Sequence, residues 1–394
     1  MNQKNIRIMK YRYLLLIAIS FCLLSCFDNN EKTISVGDTS NGEHTKKTDE
    51  KEKIVLNFYL ENSGSMDGFV NDEDTNLRTQ MYKFLVDIKD YIDTAKYYYI
   101  NSEIIPIEKE LDTYIETIDI STFKNEGGNR KSSNIRNILD TVLNKTSNKD
   151  LSIIVSDFIS DEGFLKGNLQ ETIKDKFREK LKKDTSFSVV VFRVMANFNG
   201  NYYYYKNNKK YLENKMRPYF VFVMGDYNKL IKLFNGKDIS KVIPNTTHYY
   251  VFAKEKDIKY TLYKNGETDS ITREFRKNET IDIIYYTSNL LIEKSYLQNK
   301  SNYEKTSGGI EINKIEPSEE NITITTKITN VKQLKSFDIK IKRPTLDWVG
   351  SVSTEDTLWS EKDSEKTYGI GYILKGLDEV YKDKILTNIK INVK

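Results

Sequence analysis

The sequence predicts an α/β protein with a doubly wound, mostly parallel sheet of the Rossmann type, followed by a smaller β-rich, sandwich-like domain with one helix. From residue 54 onwards, apolar strands alternate with amphipathic helices, which is typical of parallel strands joined by crossover helices. After residue 240, short strands separated by turns replace that alternation. The chain has 394 residues, whereas single hydrophobic cores usually stop growing at roughly 250 to 300 residues. We therefore expect two domains, at 54–240 and 241–394.

The elements of the first domain follow from two apolar periodicities. A nearly continuous apolar run at Ile54–Leu60 predicts a strand that is covered on both faces. The other predicted elements are a helix from Leu77 to Ile92, strands at Tyr97–Pro106 and Tyr114–Ile120, a helix from Ile135 to Leu143, a strand at Leu151–Val155, a helix from Leu169 to Leu181, strands at Phe187–Val194 and Tyr219–Met224, and a short helix at Tyr227–Phe234. Asn199-Gly200 is a strong hairpin signal, and it predicts a β-ribbon inserted near 196–216.

The second domain is predicted from short strands at regular spacing, as in a small β-sandwich. Its predicted strands are Tyr249–Phe252, Ile258–Tyr263, Ile281–Tyr286, Ile310–Ile315, Ile322–Ile328, Phe337–Ile341 and Ile385–Val393. One amphipathic helix, from Ile370 to Tyr381, precedes the last strand.

Residues 1–25 are predicted to be a signal peptide. Four basic residues and no acid occur among the first thirteen, and the apolar run that follows, Leu14–Leu24, is short for a membrane-spanning helix. The run ends at Leu23-Leu24-Ser25-Cys26, which resembles the lipobox of bacterial lipoproteins. That resemblance implies cleavage before Cys26 and a lipid on its side chain; an ordinary cleaved signal or an uncleaved anchor is the alternative. The acidic residues that follow Cys26 resemble the surface-export signals of some Gram-negative lipoproteins. That resemblance implies a lipid-anchored protein of the cell envelope, in the outer membrane of a Gram-negative bacterium.

The composition excludes several classes of function. The four basic residues of the signal account for the net charge of +4, so the rest of the chain is neutral and no nucleic-acid partner is expected. Cys22 and Cys26 are the only cysteines, and His44 and His248 the only histidines, so a disulfide, a cysteine-rich metal site and a histidine-based triad are not expected. Residues 26–53 are polar and are predicted to be a flexible tether.

The residues that could carry chemistry follow predicted strands. The first strand runs into Glu61-Asn62-Ser63-Gly64-Ser65, at the carboxyl end where doubly wound folds bind ligands. One carboxylate and two hydroxyls at alternate positions place three hard oxygens on one side of this turn. Hard oxygens suit Mg²⁺, Mn²⁺ or Ca²⁺.

This segment resembles the metal-ion-dependent adhesion site of the von Willebrand factor A family, which begins Asp-x-Ser-x-Ser. Ser63 and Ser65 match that motif, and Glu61 stands where the family has aspartate. A family threonine that introduces a helix aligns with Ser133, with Ser132 as the alternative, and an aspartate after an apolar strand aligns with Asp157. The resemblance covers about residues 54–235.

The resemblance implies that Glu61, Ser63, Ser65, Ser133 and Asp157 bind a divalent cation. It also implies an open coordination position, which the acidic side chain of a protein partner fills. The alternative at the residue level is a turn whose hydroxyls are capping groups, because Glu61 is longer than aspartate and Mg²⁺ demands near-ideal geometry.

We expect a lipid-anchored, adhesion-type binding protein and not an enzyme. A metal-free structural or assembly subunit of an envelope complex is the alternative, and a metal-dependent hydrolase ranks last because no general base or phosphate-cradling loop is evident. Ser65 is disfavoured as a nucleophile, because Gly64-Ser65-Met66-Asp67-Gly68 lacks the Gly-x-Ser-x-Gly spacing.

Overall fold

The computed structural model describes residues 54–71, 76–130, 134–160, 166–234, 236–264, 267–268, 276–306, 308–318, 320–333 and 336–392. All of them fall within one compact unit. The predicted signal peptide and tether, Cys26, and also Ser132 and Ser133, lie outside the described residues. No helix in the described part of the chain is both long and apolar enough to cross a membrane.

The largest element is a mixed sheet of seven strands in the order β3-β2-β1-β4-β6-β5-β7. Its strands are β1 Val55–Glu61, β2 Thr94–Ile100, β3 Ile104–Ile107, β4 Asp150–Ser156, β5 Phe187–Tyr204, β6 Asn208–Asp226 and β7 Thr246–Phe252. Strand β1 pairs in parallel with β2 and β4, whereas the other four pairings are antiparallel. The α/β class is confirmed. The expectation of a mostly parallel sheet is wrong, because β5 and β6 are joined by a hairpin, which can only connect antiparallel strands.

Helices cover both faces of this sheet. The α-helices of the described residues are α1 Leu77–Ile88, α2 Leu111–Glu116, α3 Ile120–Asn125, α4 Ile135–Lys145, α5 Lys166–Lys183, α6 Tyr227–Phe234, α7 Lys294–Gln298, α8 Val349–Val352 and α9 Ile370–Val380. Successive residues of β1 enter opposite cores: Phe58 and Leu60 pack with α1 and α6, and Tyr59 packs with α4, α5 and α9. This double burial explains why β1 reads as an unbroken apolar run.

The strand expected at Tyr114–Ile120 is helical instead. Tyr114, Ile115 and Ile118 are buried at the spacing of one helix face. Asp119 then caps α3, since its carboxylate accepts a hydrogen bond from the amide of Thr122 at 2.8 Å.

The β5–β6 hairpin extends beyond the rest of the sheet as a two-stranded ribbon, residues 195–219, in the region where the sequence predicts one. Its turn is at Tyr205–Asn207, with positive φ at Lys206 (53°) and Asn207 (59°). The turn expected at Asn199-Gly200 is wrong: the pairing register shifts between Phe198 and Gly200 without reversing the chain. Glycine is needed there because a Cβ atom on Gly200 would lie 2.8 Å from the Cα atom of Gly68.

The remaining strands form three smaller sheets. A five-stranded antiparallel sheet has the order β12-β13-β10-β8-β9, a three-stranded antiparallel sheet has the order β11-β14-β17, and β15 pairs with β16 in parallel. Their bounds are β8 Tyr260–Lys264, β9 Glu267–Thr268, β10 Thr280–Tyr286, β11 Tyr303–Lys305, β12 Ile310–Pro317, β13 Asn321–Ile328, β14 Ser336–Lys342, β15 Ser353–Thr354, β16 Thr367–Tyr368 and β17 Ile385–Asn392. The five-stranded and three-stranded sheets share one hydrophobic core.

Two elements that were assigned to the second domain lie with the seven-stranded sheet. Strand β7 pairs with β5 and covers an edge that would otherwise expose unpaired backbone groups. Helix α9 buries Ile373 and Leu377 in the same core as Phe177 of α5. The expected division at residue 240 is therefore not confirmed.

Candidate metal site

The candidate site lies at the carboxyl edge of the seven-stranded sheet, where β1 and β4 run side by side. Leu60 is in register with Val155, so Glu61 and Ser156 are neighbours at the ends of the two strands. The Ser156 hydroxyl donates a hydrogen bond to the Glu61 carboxylate. Asp157 follows directly, and both carboxylates are buried.

The turn after β1 brings the two predicted serines together. The hydroxyl oxygens of Ser63 and Ser65 are 2.9 Å apart, and the amide of Met66 donates to the Ser63 carbonyl oxygen at 3.1 Å. The Ser65 hydroxyl is also hydrogen-bonded to the Asp157 carboxylate. Two hydroxyls and two carboxylates thus form one contiguous group of oxygens.

The electrostatics of Asp157 are those of a buried carboxyl beside a second one. Burial and the neighbouring Glu61 carboxylate raise the pKa of Asp157 to about 7, while hydrogen bonds from the Ile159 amide and the Ser65 hydroxyl and the positive charge of Arg217 lower it. A bound cation would offset both unfavourable contributions to the ionised form.

The backbone after β4 is held in an unusual conformation. Phe158 has a φ of 51°, in the left-handed region that bulky residues rarely adopt. The turn directs the Phe158 amide to the Ser156 hydroxyl (2.7 Å) and the Ile159 amide to a carboxylate oxygen of Asp157 (3.1 Å). Stacking of the Phe158 ring on Phe222, with centroids 4.2 Å apart, helps to hold it. Such local strain concentrates at functional sites.

A second layer of contacts fixes the Glu61–Ser65 turn. The side-chain amide of Asn101 donates to the Asn62 side-chain oxygen at 2.8 Å, and the Arg130 Nε atom donates to the Asn62 carbonyl oxygen at 2.8 Å. Arg130 also forms an ion pair with Asp67. The amide of Gly64 donates to the Arg130 carbonyl oxygen at 3.2 Å. The chain therefore approaches the turn three residues before Ser133, whose membership of the site stays a prediction.

The donor set fits a hard divalent cation in chemical type. Hydroxyl and carboxylate oxygens are the ligands that Mg²⁺, Mn²⁺ and Ca²⁺ prefer. Within the described residues, no three histidine, cysteine, aspartate or glutamate side chains come together in a group that could hold a metal. A metal here would therefore depend on Ser63 and Ser65 as much as on Glu61 and Asp157.

Three residues of this region were not predicted. Ser156 and Asn62 are buried beside the predicted ligands, and only their positions next to Asp157 and Glu61 could have indicated them. Arg217 is 1% exposed and lies close enough to Asp157 to attract it. The sequence indicates this residue only by placing a lone arginine at the start of an apolar strand. Because arginine is almost never fully buried without partners, an arginine in that position suggests a paired, buried side chain.

Comparison with known proteins adds no family to this geometry. No family model, no curated protein and no solved structure matches this chain.

Proposed function

We propose that the chain is a membrane-anchored lipoprotein that binds a protein partner through a divalent cation held at the Glu61–Asp157 edge of the sheet. The cation is Mg²⁺, Mn²⁺ or Ca²⁺, and its ligands come from Glu61, Ser63, Ser65, Ser133 and Asp157. The partner supplies an acidic side chain to the open coordination position. Lipid on Cys26 anchors the chain to the outer membrane. The protein acts by binding and not by catalysis.

The observation that supports this proposal best is the contiguous group formed by two serine hydroxyls and two buried carboxylates at the ends of adjacent parallel strands. Burying like charges side by side is costly unless a proton or a cation neutralises them. A cation bound largely by hydroxyls keeps more positive charge than one in a carboxylate cage, and it therefore attracts a further carboxylate.

In fold terms, we propose that the seven-stranded sheet and its helices form a von Willebrand factor A-like domain. The location of the oxygens at the carboxyl ends of β1 and β4 supports this assignment. The two antiparallel sheets that share a core would form the sandwich-like second domain. Four of the six strand pairings are antiparallel. The assignment therefore rests on the position of the site and on the motif, and not on the direction of the strands.

Each residue would have a role that follows from its type of side chain. Ser63 and Ser65 would bind the cation through neutral oxygens, and Asp157 would balance its charge directly or through water. Ser156 would orient Glu61, whose carboxylate it already contacts. The cation would supply electrostatic attraction for the partner's carboxylate.

A metal-free structural or assembly subunit is the second candidate, and one observation favours it. Both carboxylates have hydrogen-bond donors in the protein itself: Ser156 donates to Glu61, and the Ile159 amide donates to Asp157. With a proton on Asp157, the turn would be satisfied without any cation.

Isothermal titration calorimetry of the full chain with Mn²⁺, Mg²⁺ and Ca²⁺ separates the two candidates. We expect binding to the parent protein, and loss of binding in Ser63→Ala with Ser65→Ala. Ser351→Ala, which removes an exposed hydroxyl remote from the site in sequence, is the matched control and should bind normally. Absence of binding to the parent protein would favour the metal-free subunit.

A further inference from the structure

The ribbon carries a local excess of positive charge. Residues 205–217 contain five basic side chains, Lys206, Lys209, Lys210, Lys215 and Arg217, and one acid, Glu213. The chain after the signal peptide is neutral overall. The bias is therefore a property of this element, and it favours an acidic ligand.

The loop that connects β15 to β16 carries the opposite charge. Residues 355–366, named here the acidic loop, contain five acids and two lysines. Strands β15 and β16 pair in parallel, with Ser353 opposite Thr367 and Thr354 opposite Tyr368. The ends of the loop are therefore held together, as in compact surface loops that often have a function.

Side chains of the acidic loop contact the basic side of the ribbon. The Nζ atom of Lys215 lies 4.0 Å from a carboxylate oxygen of Glu361. The Nζ atom of Lys210 lies 5.2 Å from the centre of the Trp359 ring. One acidic and one aromatic residue of the loop thus engage two lysines of the ribbon.

Two buried arginines hold the backbone of the same loop. Arg217 donates to the carbonyl oxygens of Ser364 at 2.7 Å and Lys366 at 3.0 Å. Arg193 donates to the carbonyl oxygen of Glu365 at 2.6 Å. These bonds go to backbone carbonyl groups of the turn at Glu361–Asp363 and the residues that follow it, and they do not involve its side chains. Another segment that presents carbonyl or carboxylate oxygens could therefore pair with the same arginines.

The acidic loop contacts the rest of the protein through polar groups and through Trp359, which packs partly buried against the core of the seven-stranded sheet. Leu358 is 82% exposed, more than any other large hydrophobic residue that the structure describes. Asp356, Glu361 and Glu365 are exposed as well. Exposed segments open at a lower free energy than core elements do. A segment that displaces the loop must in turn supply oxygens to Arg193 and Arg217, which are buried.

The acidic loop also lies beside the candidate metal site. Strand β16, which follows the loop, is held near the site by a hydrogen bond. The amide of Ser160, three residues after Asp157, donates to the carbonyl oxygen of Tyr368 at 3.1 Å. Arg217, which binds the loop, also attracts Asp157. A partner that reaches the site would therefore meet the loop.

We propose that the ribbon is a docking surface for an acidic segment of the partner protein, and that the chain's own acidic loop occupies this surface until the partner displaces it. The inference rests on the proposed function for the existence of a partner at this edge. The occupancy of the ribbon by the loop can be tested without the metal.

The test uses a fluorescent synthetic peptide with the sequence of residues 355–366 as the probe. In one variant of the full chain, a Gly/Ser linker of equal length replaces the loop; in a second, Asp356→Asn, Glu361→Gln and Glu365→Gln neutralise its exposed acids. The tethered loop competes at an effective concentration of about 1 mM. We therefore expect the linker variant to bind the peptide roughly tenfold or more tightly than the parent, with the neutralised variant between them.

Matched controls assign the binding to charge and to the ribbon. A peptide with all five acids changed to amides should not bind. In the linker variant, Lys209→Glu, Lys210→Glu and Lys215→Glu together should abolish binding. The same change at the exposed lysines Lys145, Lys149 and Lys182 should leave binding intact. These residues lie near the ends of β4 and β5 that are farthest from the ribbon.

The proposal is overturned if both loop variants, shown by circular dichroism to be folded, bind the acidic peptide no better than the parent does. It is also overturned if the amide peptide binds equally well. Should the linker variant not fold, the neutralised variant decides alone. Mn²⁺ calorimetry on the same proteins keeps the two proposals apart, because loss of metal binding with intact peptide binding contradicts only the metal site.

Discussion

Asp157 sets the pH behaviour of the candidate site at the scale of single residues. Its pKa rises to about 7 because the carboxyl is buried and faces Glu61. In the unfolded chain the same carboxyl returns to an ordinary aspartate pKa near 4. Between these two pH values the folded protein holds a proton that the unfolded chain has released, so folding is favoured more strongly at the lower pH.

We therefore predict that the free energy of unfolding of the metal-free protein falls as pH rises from about 4 to about 7, and that Asp157→Asn removes this contribution. The contribution is on the order of 4 kcal/mol at most. Urea unfolding of both proteins between pH 4.5 and pH 8 measures it. Parallel pH profiles for the parent and Asp157→Asn would contradict the assignment.

Gly200 is the residue on which the approach of the ribbon to the Met66–Phe69 turn depends. A Cβ atom there would meet the Cα atom of Gly68 at 2.8 Å, and backbone atoms have little room to move. We predict that Gly200→Ala lowers the free energy of unfolding by about 1–3 kcal/mol. Gly350→Ala is the control, because nothing lies within 4 Å of that position in α8, and it should be neutral or stabilising by about 0.4–1 kcal/mol. Equal effects of the two changes in thermal unfolding would contradict this packing argument.

At the scale of elements, the backbone conformation of the ribbon turn lowers the free energy of unfolding, and substitutions in the turn can restore it. Lys206 and Asn207 both have positive φ. This conformation costs a residue such as lysine roughly 1–2 kcal/mol, whereas asparagine tolerates it better. Two such residues in sequence are the geometry in which Asn-Gly is preferred.

We predict that Lys206→Asn with Asn207→Gly stabilises the protein by about 1 kcal/mol. Lys209→Asn with Lys210→Gly, three positions further along the chain in β6, is the matched control and should destabilise it because glycine weakens a strand. Chemical denaturation measures both changes. A loss of stability in the turn variant would show that the turn residues are chosen for another reason.

The ribbon also shows what the sequence reveals about elements and what it conceals. Apolar runs predict the strands β1, β4 and β5, because their double burial leaves a local mark. Asn199-Gly200 predicts a turn by local preference, yet contact with Gly68 uses that glycine for close packing instead. The pairing direction of β6 has no local mark, since an apolar run looks the same in a parallel and an antiparallel neighbour.

At the scale of the whole molecule, the candidate site combines residues that the sequence separates by almost a hundred positions. Glu61, Ser63, Ser65 and Asp157 could be predicted to meet, because each follows a strand and the carboxyl ends of parallel strands share an edge. Arg193 and Arg217 could not be placed in this way. Their partners, the carbonyl groups of residues 363–366, come from a loop whose position depends on long-range packing.

The sequence predicts a lipid on Cys26, which would anchor the whole chain to a membrane. We predict that Cys26→Ser abolishes lipidation and moves the protein from the detergent phase to the aqueous phase in a detergent-partition experiment. Cys22→Ser is the control and should stay in the detergent phase, since Cys22 precedes the predicted cleavage. Identical partitioning of the two variants would contradict the lipobox.

Ser63, Ser65 and Asp157 are proposed to hold a divalent cation between the ends of β1 and β4. A crystal structure of the protein with Mn²⁺, read by anomalous scattering, tests it most directly. We expect one strong peak at the ends of β1 and β4, with hydroxyl or carboxylate oxygens of these residues at roughly 2.1 Å and one coordination position open to solvent or to a partner's carboxylate. The proposal would be contradicted if no peak appears at that edge and the hydrogen bonds between Glu61 and Ser156 and between Ser63 and Ser65 are retained.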